Sequence, residues 1–442
     1  CTSDADCLAL EDGDLCNGTL VCVFGECAVN PQTIVDCSEY EGECKTVSCE
    51  PTTGECLQES LPAATPCDDG DECTIADACF FGTCIPSASA DCDDDNPNIY
   101  PGALDRLQED LNCDGLRPGL ISAGPEHFCG ITGGELRCYG RDISSQVSGM
   151  PEGNNFVQVS AGGQLGTGNN HSCALKTDGA IVCWGDDQYQ QVSDTPNEPG
   201  FQWVATGNLH TCALGSDGAT ACWGDPSAGA LAVPESLTLK TLEVGGYHNC
   251  GLDTDGVVRC WGRNTHGQLG IGNSQPVGDQ EGDMGDALSP VSLQGFVMSV
   301  TTGYLHSCAI LHGGKVKCWG HDGTGALGQE SYVGNIGDTA GEMQDLDPID
   351  LGNDSNENER SGLQVAAGSG FTCVLLSDRQ VKCFGSNDKG QLGNGTTDNS
   401  GYIPGENMPT GDGIPNVLDS NGDPLTHIHA IAAGERGAGA AL

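Results

Sequence analysis

Cysteine spacing constrains this chain more than any other feature. Of 442 residues, 27 are Cys, and over residues 1–90 they recur in units. Cys7, Cys16, Cys22 and Cys27 are followed by Cys37, Cys44, Cys49 and Cys56, then by Cys67, Cys73, Cys79 and Cys84. The period is about 30 residues, and each unit ends on Gly-x-Cys (Gly25-Glu26-Cys27, Gly54-Glu55-Cys56, Gly82-Thr83-Cys84). Units this short and this poor in large apolar side chains cannot fold on burial alone, so disulfides must supply the rest. Four Cys per unit admit three pairings, and spacing does not choose among them. Zinc ligation is the weaker reading, because residues 1–120 contain no Cys-x-x-Cys pair and no His.

So many cysteines imply an oxidising compartment, secreted or cell-surface. Asp and Glu number 63 against 16 Lys and Arg, a formal net charge of −47. Such a surface repels phosphate backbones and anionic lipid heads, which argues against nucleic-acid binding and makes divalent cations the natural partners. No run approaches the ~20 apolar residues of a membrane span. The chain opens on Cys1 rather than Met, which reads as a processed or trimmed chain.

The array over 1–90 resembles Cys-rich stalk repeats of secreted bacterial proteins, a likeness that implies no activity. Residues 91–115 are different: Asp91-Cys-Asp-Asp-Asp-Asn-Pro, then Asp105, then Asp110-Leu-Asn-Cys-Asp-Gly115. Oxygen ligands at alternate positions, closed by Gly turns, are how a short loop wraps a hard cation such as Ca²⁺. The segment resembles the metal-binding motif of secreted bacterial proteins, itself similar to thrombospondin type 3 calcium repeats. The resemblance makes Asp91, Asp93, Asp95, Asp105, Asp110, Asn112 and Asp114 the Ca²⁺ ligands. It usually includes a further central Cys, absent here, which leaves Cys92 and Cys113 to pair with each other or with neighbours. The bland alternative is a solvated acidic linker.

From 116 onward a second repeat appears: His171-Ser-Cys173…Asp178-Gly179…Cys183-Trp-Gly, His210-Thr-Cys212…Gly218…Cys222-Trp-Gly and His248-Asn-Cys250…Gly256…Cys260-Trp-Gly. Further copies are His127…Cys129…Cys138-Tyr-Gly, His306…Cys308…Cys318-Trp-Gly and Phe371…Cys373…Cys383-Phe-Gly. A three-residue loop ending on Gly179 places Cys173 opposite Cys183, because Gly supplies the left-handed last position without strain. In the first copy the Cys spacing is one shorter, and the two-residue turn Gly133-Gly134 restores the register. Opposed Cys on adjacent strands lie within disulfide reach, so the expected bonds are Cys129–Cys138, Cys173–Cys183, Cys212–Cys222, Cys250–Cys260, Cys308–Cys318 and Cys373–Cys383. Arg379 stands where Gly is expected, so its hairpin should be strained or differently turned.

Repeats of a few short strands with aromatic-Gly punctuation read as propeller blades. With Gly267-Gln-Leu-Gly270 and Gly390-Gln-Leu-Gly393, they resemble the regulator of chromosome condensation repeat in its disulfide-bearing secreted bacterial form. The expected architecture is all-β: a six- to seven-bladed β-propeller over 116–442, an N-terminal disulfide-rich array over 1–90, and the acidic motif 91–115 between them. A seventh copy begins at Ile431-Ala-Ala-Gly434 and stops half written. A strand of the same chain or one from another subunit must complete it, or its edge stays open.

The five repeated His recur at one structural position, so they read as satisfying a backbone group. Trp184, Trp223, Trp261 and Trp319 read as blade-to-blade packing. No catalytic motif stands out, and the chain reads as a non-enzyme. Insertions around Val277-Gly-Asp279…Met284, Ile336-Gly-Asp338…Met343 and Ile403-Pro-Gly-Glu406…Met408 repeat, with acids Asp283, Asp286, Asp345, Asp347 and Asp350 nearby; they either form a shared binding surface or cover blade edges. Asp419-Ser-Asn421-Gly-Asp423 is a second Ca²⁺ candidate or an ordinary turn. Acceptor triplets for N-glycosylation occur at Asn17, Asn170, Asn353 and Asn394. The odd Cys count leaves Cys1 for a lipid anchor, a bond to residues trimmed from this numbering or an intersubunit bond. The functional expectation is an extracellular structural or adhesive surface protein, self-associating into a polymer or surface assembly; the alternative is a secreted propeller that captures or inhibits a soluble protein.

Overall fold

The computed structural model describes most of residues 120–400, scattered positions from there to 441, parts of 1–60, and the backbone of a hairpin within 78–85. The chain divides into two compact units, residues 1–103 with 111–113 and residues 104–110 with 114–442.

The N-terminal unit holds three antiparallel hairpins: β1 (Leu20–Val23) with β2 (Glu26–Val29), β3 (Lys45–Cys49) with β4 (Cys56–Ser60), and β5 (Ala78–Phe80) with β6 (Thr83–Ile85). Cys22 opposes Cys27 and Cys49 opposes Cys56. Neither opposed pair bonds to itself. The disulfides are Cys1–Cys22, Cys7–Cys27, Cys16–Cys49 and Cys37–Cys56. Two expectations are thereby corrected. Pairing is not closed within a unit, because Cys16 of the first reaches the hairpin of the second. Cys1 is not left over, since it takes Cys22 within the same chain, and this removes it as a lipid anchor or intersubunit bond. These bonds span 19 to 33 residues. Closing loops of that length restricts the unfolded chain by about 3.3–3.7 kcal/mol each in the entropy treatment.

The second unit is the propeller. Blade 1 comprises β7 (Ile121–Ala123), β8 (His127–Thr132) and β9 (Glu135–Gly140). Blade 2 comprises β10 (Phe156–Gly163), β11 (Asn170–Lys176) and β12 (Ile181–Gly185), and blade 3 β13 (Phe201–Thr206), β14 (His210–Gly215) and β15 (Thr220–Gly224). Blade 4 comprises β16 (Leu239–Val244), β17 (His248–Asp253) and β18 (Val258–Gly262), and blade 5 β19 (Val297–Thr302), β20 (His306–Leu311) and β21 (Lys315–Gly320). Blade 6 comprises β22 (Gly362–Ala367), β23 (Phe371–Leu376) and β24 (Val381–Gly385); the seventh sheet has two strands, β25 (Ile431–Ala432) and β26 (Ala440–Ala441).

Hairpin register follows the turn chemistry. Cys129 opposes Cys138 and Cys173 opposes Cys183, and all six intrablade disulfides are present at Cα separations of 4.0–4.1 Å. Gly133 and Gly134 sit at φ +59° and +82°, as a two-residue primed turn requires. Arg379 adopts the left-handed conformation at φ +61°, so its hairpin keeps the common turn and bears the strain of a side chain there.

Seven glycines close the ring. Each inner strand runs into one of Gly124, Gly162, Gly207, Gly245, Gly303, Gly368 and Gly434. A Cβ on any of the last six would collide with the carbonyl oxygen of the next glycine around the axis, and Gly434 abuts Gly124. Thus β25 stands between β22 and β7, and the circle is completed within one chain.

Between blades, one bond recurs. His127 Nε2 lies 2.7 Å from Ser172 Oγ, His171 Nε2 2.9 Å from Thr211 Oγ1, and His210 Nε2 2.9 Å from Asn249 Oδ1. His248 and His306 reach Ser307 Oγ and Thr372 Oγ1 at 2.8 and 2.9 Å. The partner is a side chain of the following blade, which corrects the expected backbone group. Ser307 and Thr372 already donate to the carbonyls of Gln268 and Ala326, so His248 and His306 must donate from Nε2. The tryptophans pin the same seams from outside: Trp184, Trp223 and Trp319 donate to the carbonyls of Gln146, Gln191 and Gln268 on the preceding blade. Apolar clusters straddle neighbouring blades, as where Leu136 of blade 1 and Phe156, Val159 and Trp184 of blade 2 pack together. Fully burying one such Val, Leu or Phe contributes about 1.5–3 kcal/mol.

Asp322 departs from its equivalents. Asn264, Asp322 and Asn387 each accept from the backbone N–H five residues on, at 2.9–3.0 Å. Asn264 and Asn387 use Nδ2 to donate to loop carbonyls, whereas Asp322 Oδ2 is buried and has no hydrogen-bond partner among the described residues. Burial pushes its carboxyl up to about 6.

Two stability predictions follow from these buried groups. Burial, the largest cause, lowers His127 and His306 to about 4 and His171 and His248 to about 3. The unfolded chain therefore binds more protons between pH 6.5 and 4, and stability is lost as pH falls through that window, by about 3 kcal/mol for His127 or His306. Thermal melts at about pH 7.5 and about pH 4.5 should show a large drop in Tm, and equal values would remove the neutral-histidine account. Asp322 has the opposite sign: its folded value exceeds the unfolded one, so it destabilises as pH rises through about 6. Asp322→Asn should raise stability at about pH 7.5 by about 1–3 kcal/mol, with no gain at about pH 4.

Candidate binding site

The repeat sets one pair of residues at the same position of blades 1 to 6: the residue before the His or Phe and the residue after the final Gly. The backbone N–H of the second donates to the carbonyl of the first, as in Arg141→Glu126 (2.8 Å), Asp225→Leu209 (2.9 Å) and Arg263→Tyr247 (2.9 Å). This frame holds the backbone still while the side chains vary. In blade 1 the pair is closed, because Arg141 Nη1 bonds Glu126 Oε1. In blade 4 Tyr247 replaces the Glu, and the Arg263 guanidinium lies over its ring at 5.3 Å from the centroid.

A pocket of about 480 Å³ opens here, lined by Gln164 and Tyr189 of blade 2, Asp225 of blade 3, and Tyr247, Arg263 and Thr265 of blade 4. Its walls are set by neighbours. Gln164 Nε2 donates to Tyr247 Oη at 2.8 Å, and Tyr304 meets the Tyr247 ring edge-on at 5.7 Å. Arg263 Nε donates to Thr265 Oγ1 at 3.2 Å. The backbone N–H and hydroxyl of Ser227 hold the two carboxylate oxygens of Asp225 at 3.0 and 2.7 Å. Of the other arginines, Arg137, Arg141, Arg259 and Arg360 each pair with a carboxylate; Arg263 has no ion-pair partner among the described residues. At the propeller axis the glycine ring leaves a space of about 70 Å³, suited to water rather than a ligand.

None of these pocket residues was singled out from sequence. The signal was there in the repeat alignment, where Arg263 takes the position of Arg141 while its partner changes from acid to aromatic. The Ca²⁺ candidates Asp91, Asp93, Asp95, Asp105, Asp110, Asn112 and Asp114 lie outside the described residues, as do Asp286, the 403–408 insertion, Asp419, Asn421 and Asp423. The insertions that are described pack against neighbouring blades. A Cβ at Gly229 would press on Gly278 and Asp279, and one at Gly267 on Gly337 and Asp338. Asp283 and Glu342 take equivalent places, each accepting two backbone N–H groups within its own turn at 2.9–3.1 Å. Met343 is buried in the core.

Asn170 is corrected as a glycosylation site: its residue is fully buried on β11, and its Nδ2 donates to Glu126 Oε2 at 3.1 Å. Asn17 and Asn353 are exposed, and Asn394 Oδ1 is engaged with Thr396 and Asn387. The sulfurs of Cys1, Cys7 and Cys27 cluster because two disulfides run side by side, and a sulfur held in a disulfide is not a thiolate ligand.

Comparison with known proteins agrees with this geometry. The profile of the regulator of chromosome condensation (RCC1) repeat matches residues 156–191, 240–268 and 363–391, and a second profile of that repeat matches 255–310. Human WBSCR16 is similar in structure at a TM-score of 0.53 and 16% identity, over 71% of this chain and 84% of that one. Prp20p from Saccharomyces cerevisiae, described with its binding properties to Gsp1p and histones, is similar at 0.52 and 16%, over 71% of this chain and 80% of that one. The chain therefore carries regulator of chromosome condensation repeats, and the matched repeats fall on blades 2, 4, 5 and 6 of its β-propeller.

Proposed function

We propose that this protein is an extracellular structural and adhesive protein whose propeller is the binding element and whose cross-linked N-terminal array is its tether. The observation that carries the reading is covalent: all twenty cysteines with described side chains are joined in ten intrachain disulfides, six within blades and four in the array. Such bonds persist in an oxidising compartment. Binding rather than catalysis suits the propeller, since the pocket beside Tyr247 and Arg263 combines fixed donors, acceptors and aromatic side chains. The net charge of −47 favours neutral or cationic partners.

Self-association is the second reading. It is favoured by the seventh sheet, which among the described residues has two strands where the other blades have three, an arrangement suited to strand addition at the outer edge of β26. Ca²⁺ belongs to the same proposal, with Asp91, Asp93, Asp95, Asp105, Asp110, Asn112 and Asp114 as ligands.

Beads coated with the purified chain should adhere to cell surfaces about ten-fold better than beads coated with the reduced and alkylated chain. Equal retention would sink the adhesive reading, and a monomer at every concentration in sedimentation would sink self-association. Chelation should lower the Tm and open residues 91–115 to protease, because converging carboxylates repel one another by roughly 1–4 kcal/mol per close pair without a cation. An unchanged melt and digest would reduce that segment to a linker.

A further inference from the structure

We propose that the pocket beside Tyr247 and Arg263 binds a neutral sugar, the terminal residue of an uncharged glycan. The proposal names the ligand of the adhesive reading and rests on it. Arg263 and Asp225 occupy the same repeat position on adjacent blades and bring opposite charges to one pocket. A bare anion meets Asp225 and the field of a −47 chain, while a cation meets Arg263. An apolar ligand would strand the polar groups of Gln164, Asp225, Arg263 and Thr265 without water. A pyranose needs what is present: donors and acceptors for adjacent hydroxyls, and in Tyr189, on the same wall, an aromatic side chain for its C–H surface.

Preorganisation points the same way. Tyr247 is fixed at its hydroxyl by Gln164 and packs in a T-shaped pair with Tyr304, so its ring does not have to be ordered when a ligand arrives. Arg263 is spread over that ring and has its Nε occupied by Thr265. Blade 1 shows the alternative arrangement, in which Glu126 neutralises Arg141. Substituting Tyr for Glu at this position removes the carboxylate partner and holds the guanidinium on an aromatic ring instead, which leaves its Nη donors without an ion-pair partner among the described residues. The volume, about 480 Å³, suits one or two sugar rings.

The test is saturation-transfer NMR and titration on the full, oxidised chain with methyl glucoside, methyl galactoside, methyl mannoside, N-acetylglucosamine and their disaccharides. Glucuronic acid and an acidic peptide serve as charged competitors. At least one neutral sugar should bind, and Arg263→Ala and Tyr247→Ala should each weaken it by about ten-fold or more. Arg263 is the safer site for folding, and an unchanged melt qualifies either variant. The proposal is overturned if no neutral sugar binds, if both variants bind as the parent does, or if the charged competitors bind in preference. Bead adhesion that persists in Arg263→Ala, with no sugar bound by the parent, would sink the sugar while leaving adhesion standing.

Discussion

A neutral, buried histidine donating to the next blade is the interaction on which the propeller depends. The imidazole is placed by a short turn: the backbone N–H of Gly124, Gly207, Gly245 or Gly303 donates at 2.8 Å to the carbonyl of the His three residues on. That turn folds the ring over the glycine, where a Cβ would lie 2.6–2.8 Å from the imidazole Cε1. From there Nε2 reaches the adjacent blade, so one small residue serves both the turn inside a blade and the seam between blades. Blade 6 shows what the His adds. Phe371 keeps the turn and fills the same space but carries no donor, and it faces the two-stranded sheet at the end of the chain.

The two units use the same covalent bond in different ways. In the propeller a disulfide joins residues already opposed in a hairpin, 9 or 10 positions apart in sequence. Each closes a short loop and restricts the unfolded chain by about 2.7 kcal/mol, a supplement to a core that is already formed by apolar packing. In the N-terminal unit opposed cysteines turn away from each other to distant partners. Cys16–Cys49 joins the first repeat to the second, a covalent tie where little apolar surface is available.

With the frame held at the seams, the surface positions vary without disturbing the fold. The pair that flanks each blade end is Glu126 with Arg141 in blade 1, Leu209 with Asp225 in blade 3 and Tyr247 with Arg263 in blade 4. Each keeps the same backbone hydrogen bond while its side chains change from an ion pair to a carboxylate to a cation on an aromatic face. Chemical variety is thus written at positions that fold stability leaves open.

Local rules were enough to read the propeller from the sequence. Gly179 or the pair Gly133-Gly134 determines a hairpin's loop length, loop length determines register, and register decides which cysteines meet. The array could not be read in that way, because opposition in a hairpin was outweighed by partners 19 to 33 residues away that no local rule brings together. The histidine's partner, the burial of Asn170 and the lone carboxylate oxygen of Asp322 likewise depend on which blade faces which. So does the pocket: Gln164, Asp225 and Arg263 come from three blades and converge only when blades 2, 3 and 4 pack side by side. Sequence determined the blades and their staples, since those forces act within a hairpin; tertiary structure decided the seams and the candidate site, since those contacts exist only between blades.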